Sequence, residues 1–211
     1  MAVAIELIKQ LREETGAGIL ECRRVLEETH QNYAQALGNL RERGLQKAAK
    51  RSERPAVQGV IELYSHGNGR LGVMLEVNTE TDFAGRSAAV HEFAHELALQ
   101  IAAAAPEFVR EEDIPAERLE QEAQKAAEQA RMEGKNENIV PRIVEGQLKK
   151  FKDRKVLLRQ ASIRDETVTV AQLLGQTIAA VGENVVIRRF VRWELGEETD
   201  PPLAPPDAGG E

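Results

Sequence analysis

Apolar positions near the start of the chain recur at helical spacing in separate short blocks. Ala4, Leu7, Ile8 and Leu11 share one face, and Thr15-Gly16-Ala17-Gly18 interrupts it. Ile19, Cys22, Val25 and Leu26 form a second stripe. A third helix opens at Asn32, with Gln35 placed as in a capping box. It offers Tyr33, Ala36, Leu37 and Leu40 to a core and is expected to stop at Gly44. Residues 1–44 therefore read as a three-helix module with a small core. Residues 45–56 are polar and basic, with Lys47, Lys50, Arg51 and Arg54 before Pro55. They read as a linker, or as a helix extension followed by one.

The period then changes. Val57, Gly59, Ile61 and Leu63 alternate with the more polar Gln58 and Glu62, and Leu71, Val73, Leu75 and Val77 alternate strictly. His66-Gly67-Asn68-Gly69 between them supplies the positive backbone angles of a hairpin turn. After Asn78-Thr79-Glu80-Thr81-Asp82-Phe83, a helix from about Ser87 carries Val90, Phe93, Ala94, Leu97 and Ile101, and Pro106 ends it. Residues 115–133 favour helix but have only a thin stripe of Leu119, Ala123, Ala126 and Ala130, closed by Gly134. Ile139, Ile143, Leu148 and Phe151 mark the next helical stretch, so the pair predicts a helical hairpin that projects from the body. A strand is expected over Val156–Ala161, then a helix with Val170, Leu173, Leu174, Ile178 and Val181, then a strand from Asn184 to about Trp193. Residues 197–211, acidic and rich in Pro and Gly, are expected to be disordered. The strands fall in separate blocks without βαβ alternation, so the fold class expected is α+β, with residues 57–196 as the core domain.

Composition narrows the function classes. Hydrophobic residues make up 42% and aromatics 4%, so the core is aliphatic, which suits helices. The net charge of −7 argues against a dedicated nucleic-acid binder and against adhesion to anionic lipid. Cys22 stands alone, so no disulfide forms within the chain. The start lacks a signal-peptide pattern, and no apolar run approaches the ~20 residues of a membrane helix. These features predict a cytoplasmic protein.

Candidate chemistry is sparse. His91-Glu92-Phe93-Ala94-His95 has the HExxH spacing of a zinc peptidase helix. Both histidines, however, lie more than a right angle from the centre of that helix's apolar stripe, and no third histidine follows. Cys22 falls on an apolar face, as a core residue does. Neither a nucleophile elbow nor a phosphate loop is present, and no cofactor or metal is expected. Two features suit protein binding instead. Leu20 is out of phase with its helix's apolar stripe. Asp82-Phe83 sits at a strand-to-helix corner, where Asp82 can balance a helix dipole while Phe83 packs inward, or the pair can stand out as an acidic-aromatic wedge.

Three local patterns then coincide. Leu11-Arg12-Glu13-Glu14-Thr15-Gly16-Ala17-Gly18 with Glu21-Cys22-Arg23-Arg24, Glu76-Val77-Asn78-Thr79-Glu80-Thr81-Asp82-Phe83, and Gly182-Glu183-Asn184-Val185-Val186-Ile187-Arg188-Arg189-Phe190 resemble, in order, the signatures of the translation elongation factor Ts family. The resemblance spans residues 1 to about 196 and implies a ubiquitin-associated-like three-helix module. It implies a nucleotide exchange factor, not an enzyme, whose partner is elongation factor Tu in its GDP-bound and nucleotide-free states. Arg12, Ile19, Leu20, Thr81, Asp82 and Phe83 match the family's contact positions. Asp82-Phe83 would enter the partner near its magnesium and phosphate sites. One core plus one hairpin resembles the short members, which pair as homodimers. Ala84-Gly85 follow Phe83 where the family usually has Val-Ala, so a looser corner is expected. A metallopeptidase and a ubiquitin-like-protein adaptor are the competing readings.

Overall fold

The computed structural model describes residues 4–51 and 53–197. Three helices come first: α1 (Ile5–Thr15), α2 (Ile19–Glu28) and α3 (Tyr33–Arg51). Leu11, Ala17, Cys22, Val25, Leu26, Ala36 and Leu40 form their core. The Asn32 side chain accepts from Gln35 N–H at 3.1 Å, which satisfies one of the free donors at the start of α3. Two expectations change here. Ile19 is 55% exposed, because at the first turn of α2 it lies outside the Cys22-Val25-Leu26 face. And α3 does not stop at Gly44. It runs on to Arg51, the helix-extension alternative, because packing overrides the weak helix propensity of glycine. Gly44 lies directly against the backbone of Gly175, and the Arg51 guanidinium donates to the Ile178 carbonyl at 3.3 Å.

The sheet is antiparallel with order β1 (Gln58–His66), β2 (Leu71–Thr79), β3 (Val185–Glu194). Between β2 and β3 lie α4 (Asp82–Gly85), α5 (Ala88–Ala104), α6 (Ala116–Met132), α7 (Val140–Lys155) and α8 (Val170–Val181). Helices α5 and α8 cover one face, joining Val73, Leu75 and Val77 to Phe93, Leu97 and Ile178 in the main core. The register explains which face β1 turns inward. Val60 opposes Val77 and Tyr64 opposes Val73, so Val60 and Tyr64 pack on the core. The alternating set containing Ile61 and Leu63 lies on the other face, exposed beside Met74, Val191 and Trp193. Glu76 opposes Arg189 and Val77 opposes Ile187, which leaves Arg188 as the extra residue of a bulge.

Helices α6 and α7 form the expected hairpin, rooted in a small cluster of Ile114, Phe151 and Val156. The strand expected over Val156–Ala161 is absent. A 3-10 turn at Leu157–Arg159 is flanked by single bridges, Phe108 to Val156 and Ala161 to Thr169. Val156 and Leu157 are apolar because they are fully buried where the main core meets the hairpin root, not because they join a ladder. The acidic tail expected over 197–211 lies, apart from Glu197, outside the described residues.

Candidate partner-binding site

β2 leaves the sheet at Thr79 and turns into α4, a single helical turn. Thr81 has extended backbone and caps that turn, its Oγ1 accepting from Ala84 N–H at 3.2 Å. Asp82 occupies the first position, where its charge complements the free N–H groups, and pairs with exposed Arg86 at 3.1 Å. Phe83 follows and is 83% exposed. Of the two readings open from sequence, inward packing of Phe83 is therefore the one the structure rejects. A phenylalanine left in water forgoes about 1.5–3 kcal/mol of burial.

The corner beneath Phe83 is close-packed. Ala84 and Gly85 are buried, and a Cβ on Gly85 would stand 2.9 Å from the Gly59 Cα. Gly59 has φ +136, and a Cβ there would stand 2.0 Å from the Val77 carbonyl oxygen. Two glycines thus let α4 settle onto the β1 backbone. Gly85, where the replacement of the family's usual Val-Ala led to the expectation of a looser corner, is the residue that admits this close contact.

A second support comes from the turn between α8 and β3. Glu183 accepts from Thr81 N–H at 3.0 Å and from Thr81 Oγ1–H at 2.8 Å. Asn184 N–H donates to Glu80 at 2.6 Å, and its side chain donates to the Arg54 carbonyl at 2.8 Å. Sequence reasoning placed Glu80, Glu183 and Asn184 in two signatures without a role. Only the fold brings together residues a hundred positions apart.

The remaining predicted contact residues lie on the three-helix module. Leu20 is 81% exposed beside exposed Ile19, and Arg12 is exposed on α1. The glycine turn between α1 and α2 rests on α8, where a Cβ on Gly16 would stand 3.1 Å from the Ala180 Cβ. The end of α8 therefore supports this turn through Ala180 and the Phe83 corner through Glu183. The structure brings Thr81, Asp82 and Phe83 into one unit, and Arg12, Ile19 and Leu20 onto the module beside α8.

The other candidates lie elsewhere. His91 and Glu92 are exposed, and His95 Nδ1 lies 2.9 Å from a Glu62 carboxylate oxygen, with the His95 and Tyr64 rings in a T-shaped contact. Among the described residues no group of three or more His, Cys, Asp or Glu side chains could hold a metal ion. Cys22 is fully buried, and burial pushes its thiol above its ordinary value. On the outer sheet face, Leu63, Met74, Val191 and Trp193 line a shallow apolar groove of about 300 Å³. Among the described residues no helix is long and apolar enough to cross a membrane.

An aromatic exposed on a close-packed corner, a second exposed apolar patch and an apolar sheet face are features that suit protein contact. Comparison with known proteins gives that class a family. The profile described as Elongation factor TS matches residues 23–197. Elongation factor Ts of Coprothermobacter proteolyticus is 50% identical over 197 residues, covering 93% of this chain and 100% of the relative. Those of Acetivibrio thermocellus and Carboxydothermus hydrogenoformans are each 48% identical over 195 residues, covering 92% of this chain and 91% and 90% of the relatives. The chain belongs to the elongation factor Ts family.

Proposed function

We propose that this protein is a guanine-nucleotide exchange factor for elongation factor Tu. It binds the GDP-bound partner and releases GDP by disturbing the magnesium and phosphate site, without any covalent step. The observation that carries this reading is Phe83, exposed on a corner that is itself close-packed. A backbone corner that is already close-packed loses little further entropy on docking, so more of the Phe83 burial energy goes into displacing groups of the partner. Asp82 beside it brings a negative charge to a site that holds a cation and phosphates. Thr81 completes the corner, while Arg12, Ile19 and Leu20 anchor the three-helix module on the nucleotide-binding domain. Residues 57–196 form the core that carries the corner. Factor and nucleotide each weaken the other's binding by the same factor, which is what exchange requires.

In this reading the protein works in the cytoplasm as a homodimer, and the apolar outer sheet face is the surface a second copy covers. Trp193 is 76% exposed there, a cost that pairing removes.

The test is release of a fluorescent GDP analogue from elongation factor Tu, chased with excess unlabelled GDP. Sub-stoichiometric amounts of the protein are expected to accelerate release when magnesium is present. Prior removal of magnesium by a chelator should shrink the acceleration, because the metal contact is then already gone. An unchanged release rate in magnesium sinks the proposal.

A further inference from the structure

A single helical turn of four residues has no cooperative stability of its own, so the direction in which Phe83 points must be set by neighbours. Gly59 and Gly85 set how deeply α4 sits. The orientation of that turn depends in addition on the Thr81 cap.

The Thr81 hydroxyl has one hydrogen and is used twice. It donates to a Glu183 oxygen at 2.8 Å and accepts from Ala84 N–H at 3.2 Å. The other Glu183 oxygen takes Thr81 N–H at 3.0 Å. One carboxylate thus holds both polar hydrogens of the capping residue, turning the hydroxyl lone pairs toward the helix. Glu183 is in turn placed by its neighbours. Gly182 caps α8 in left-handed conformation, and Asn184, which is buried, is tied to Glu80 and to the Arg54 carbonyl. Without the Glu183 carboxylate, the Thr81 hydroxyl is free to rotate, the cap weakens and the first turn of α4 loosens while the rest of the core is untouched.

We infer that Glu183 is a positioning residue for exchange: acting from the end of α8 through Thr81, it fixes the direction in which Asp82 and Phe83 are presented. This rests on the exchange reading above. It also explains why the third signature of the chain sits beside the second in space.

The test measures stimulated GDP release against concentration of the full chain, for wild type, Phe83→Ala, Glu183→Ala, Glu183→Gln and the Phe83/Glu183 double alanine variant. Loss of two hydrogen bonds to a charged group at a partly exposed site is expected to lower the maximal rate about five- to tenfold in Glu183→Ala. The half-saturating concentration should stay within about twofold of wild type, since the module contacts are intact. Glu183→Gln, which keeps one oxygen acceptor for Thr81 N–H, should recover most of the rate. In the double variant the loss should fall well short of the product of the two single losses, because Glu183 acts only through the corner that Phe83 shares with Asp82.

A Glu183→Ala maximal rate equal to wild type overturns the inference, as does a loss that adds in full to that of Phe83→Ala. If Glu183→Ala melts below the assay temperature, Glu183→Asp, which keeps the charge but draws the carboxylate back from Thr81, carries the same test with a loss in the same direction. The two proposals fail distinguishably. A wild type that does not accelerate release defeats exchange and takes this inference with it. A wild type and Phe83→Ala that behave as expected beside an unaffected Glu183→Ala defeat only the positioning role.

Discussion

Replacing Gly59 by alanine tests the platform under the corner. Its φ of +136 lies outside what L side chains readily adopt, a strain of about 1–3 kcal/mol. Its new Cβ would stand 2.0 Å from the Val77 carbonyl oxygen and 2.8 Å from the Asn78 Cα. Both are backbone atoms of the paired strand, so no rotamer change relieves the clash, and overpacking adds about 1–3 kcal/mol. The total is about 2–6 kcal/mol. Gly69 is the internal control. It also has positive φ, +82, but nothing lies within 4 Å of its Cβ position. Gly69→Ala should cost only the conformational part, about 1–2 kcal/mol. With a urea dependence of about 2–3 kcal/mol/M, Gly59→Ala should lower the unfolding midpoint by about 1–2 M and Gly69→Ala by about half a molar. Equal midpoints for the two variants, or a Gly59→Ala midpoint matching wild type, would refute the crowding argument.

Other outcomes follow from the same geometry. Arg159 first, and then Lys152, hold the Glu111 carboxyl below its ordinary value of 4.5. A depressed carboxylate stabilises the fold fully above that ordinary value, and the contribution is lost as pH falls through the lower folded one. Melting temperatures measured on acidification should therefore fall less steeply for Glu111→Gln than for wild type, and parallel slopes would argue against the pairing. Cys22 is buried with its thiol pushed up, so a disulfide reagent at mildly alkaline pH should react with it only slowly until urea is added. Fast reaction in the folded protein would place Cys22 outside the core. If the outer sheet face is the homodimer surface, light scattering should give the mass of two chains for wild type and of one for Trp193→Lys, and a monomeric wild type removes that part of the proposal.

Elements buried on one face were legible from spacing. The stripe of Val90, Phe93, Ala94, Leu97 and Ile101 lies fully in the core, as does the strict alternation of Val73, Leu75 and Val77. Where both faces carry apolar residues, alternation cannot say which turns inward. β1 is such a case: Val60 and Tyr64 face the core while Ile61 and Leu63 stand exposed. Long-range contacts hid other features. Gly44 reads as a helix stop in isolation, yet it faces Gly175, and α3 continues past it. Val156 and Leu157 look like a strand because burial between two clusters needs the same residue types. The site was legible unevenly. Leu20 announced itself by being out of phase. Asp82-Phe83 stood out only as a strand-to-helix corner, and four residues are too few for periodicity to say whether Phe83 turns inward or outward. The supports of the corner, Glu183 and Asn184 on one side and Gly59 on the other, come from remote stretches of chain that pairing and packing alone bring together.

In the proposed function, Phe83, exposed on a close-packed corner, drives GDP out of elongation factor Tu. Stopped-flow release of a fluorescent GDP analogue with wild type and Phe83→Ala tests it most directly. Loss of a buried aromatic hot spot is worth about 2 kcal/mol or more, so the variant should release GDP roughly thirtyfold more slowly. Its circular dichroism and melting temperature should match wild type, since Phe83 makes no part of the core. A folded Phe83→Ala that releases GDP as fast as wild type would contradict the account.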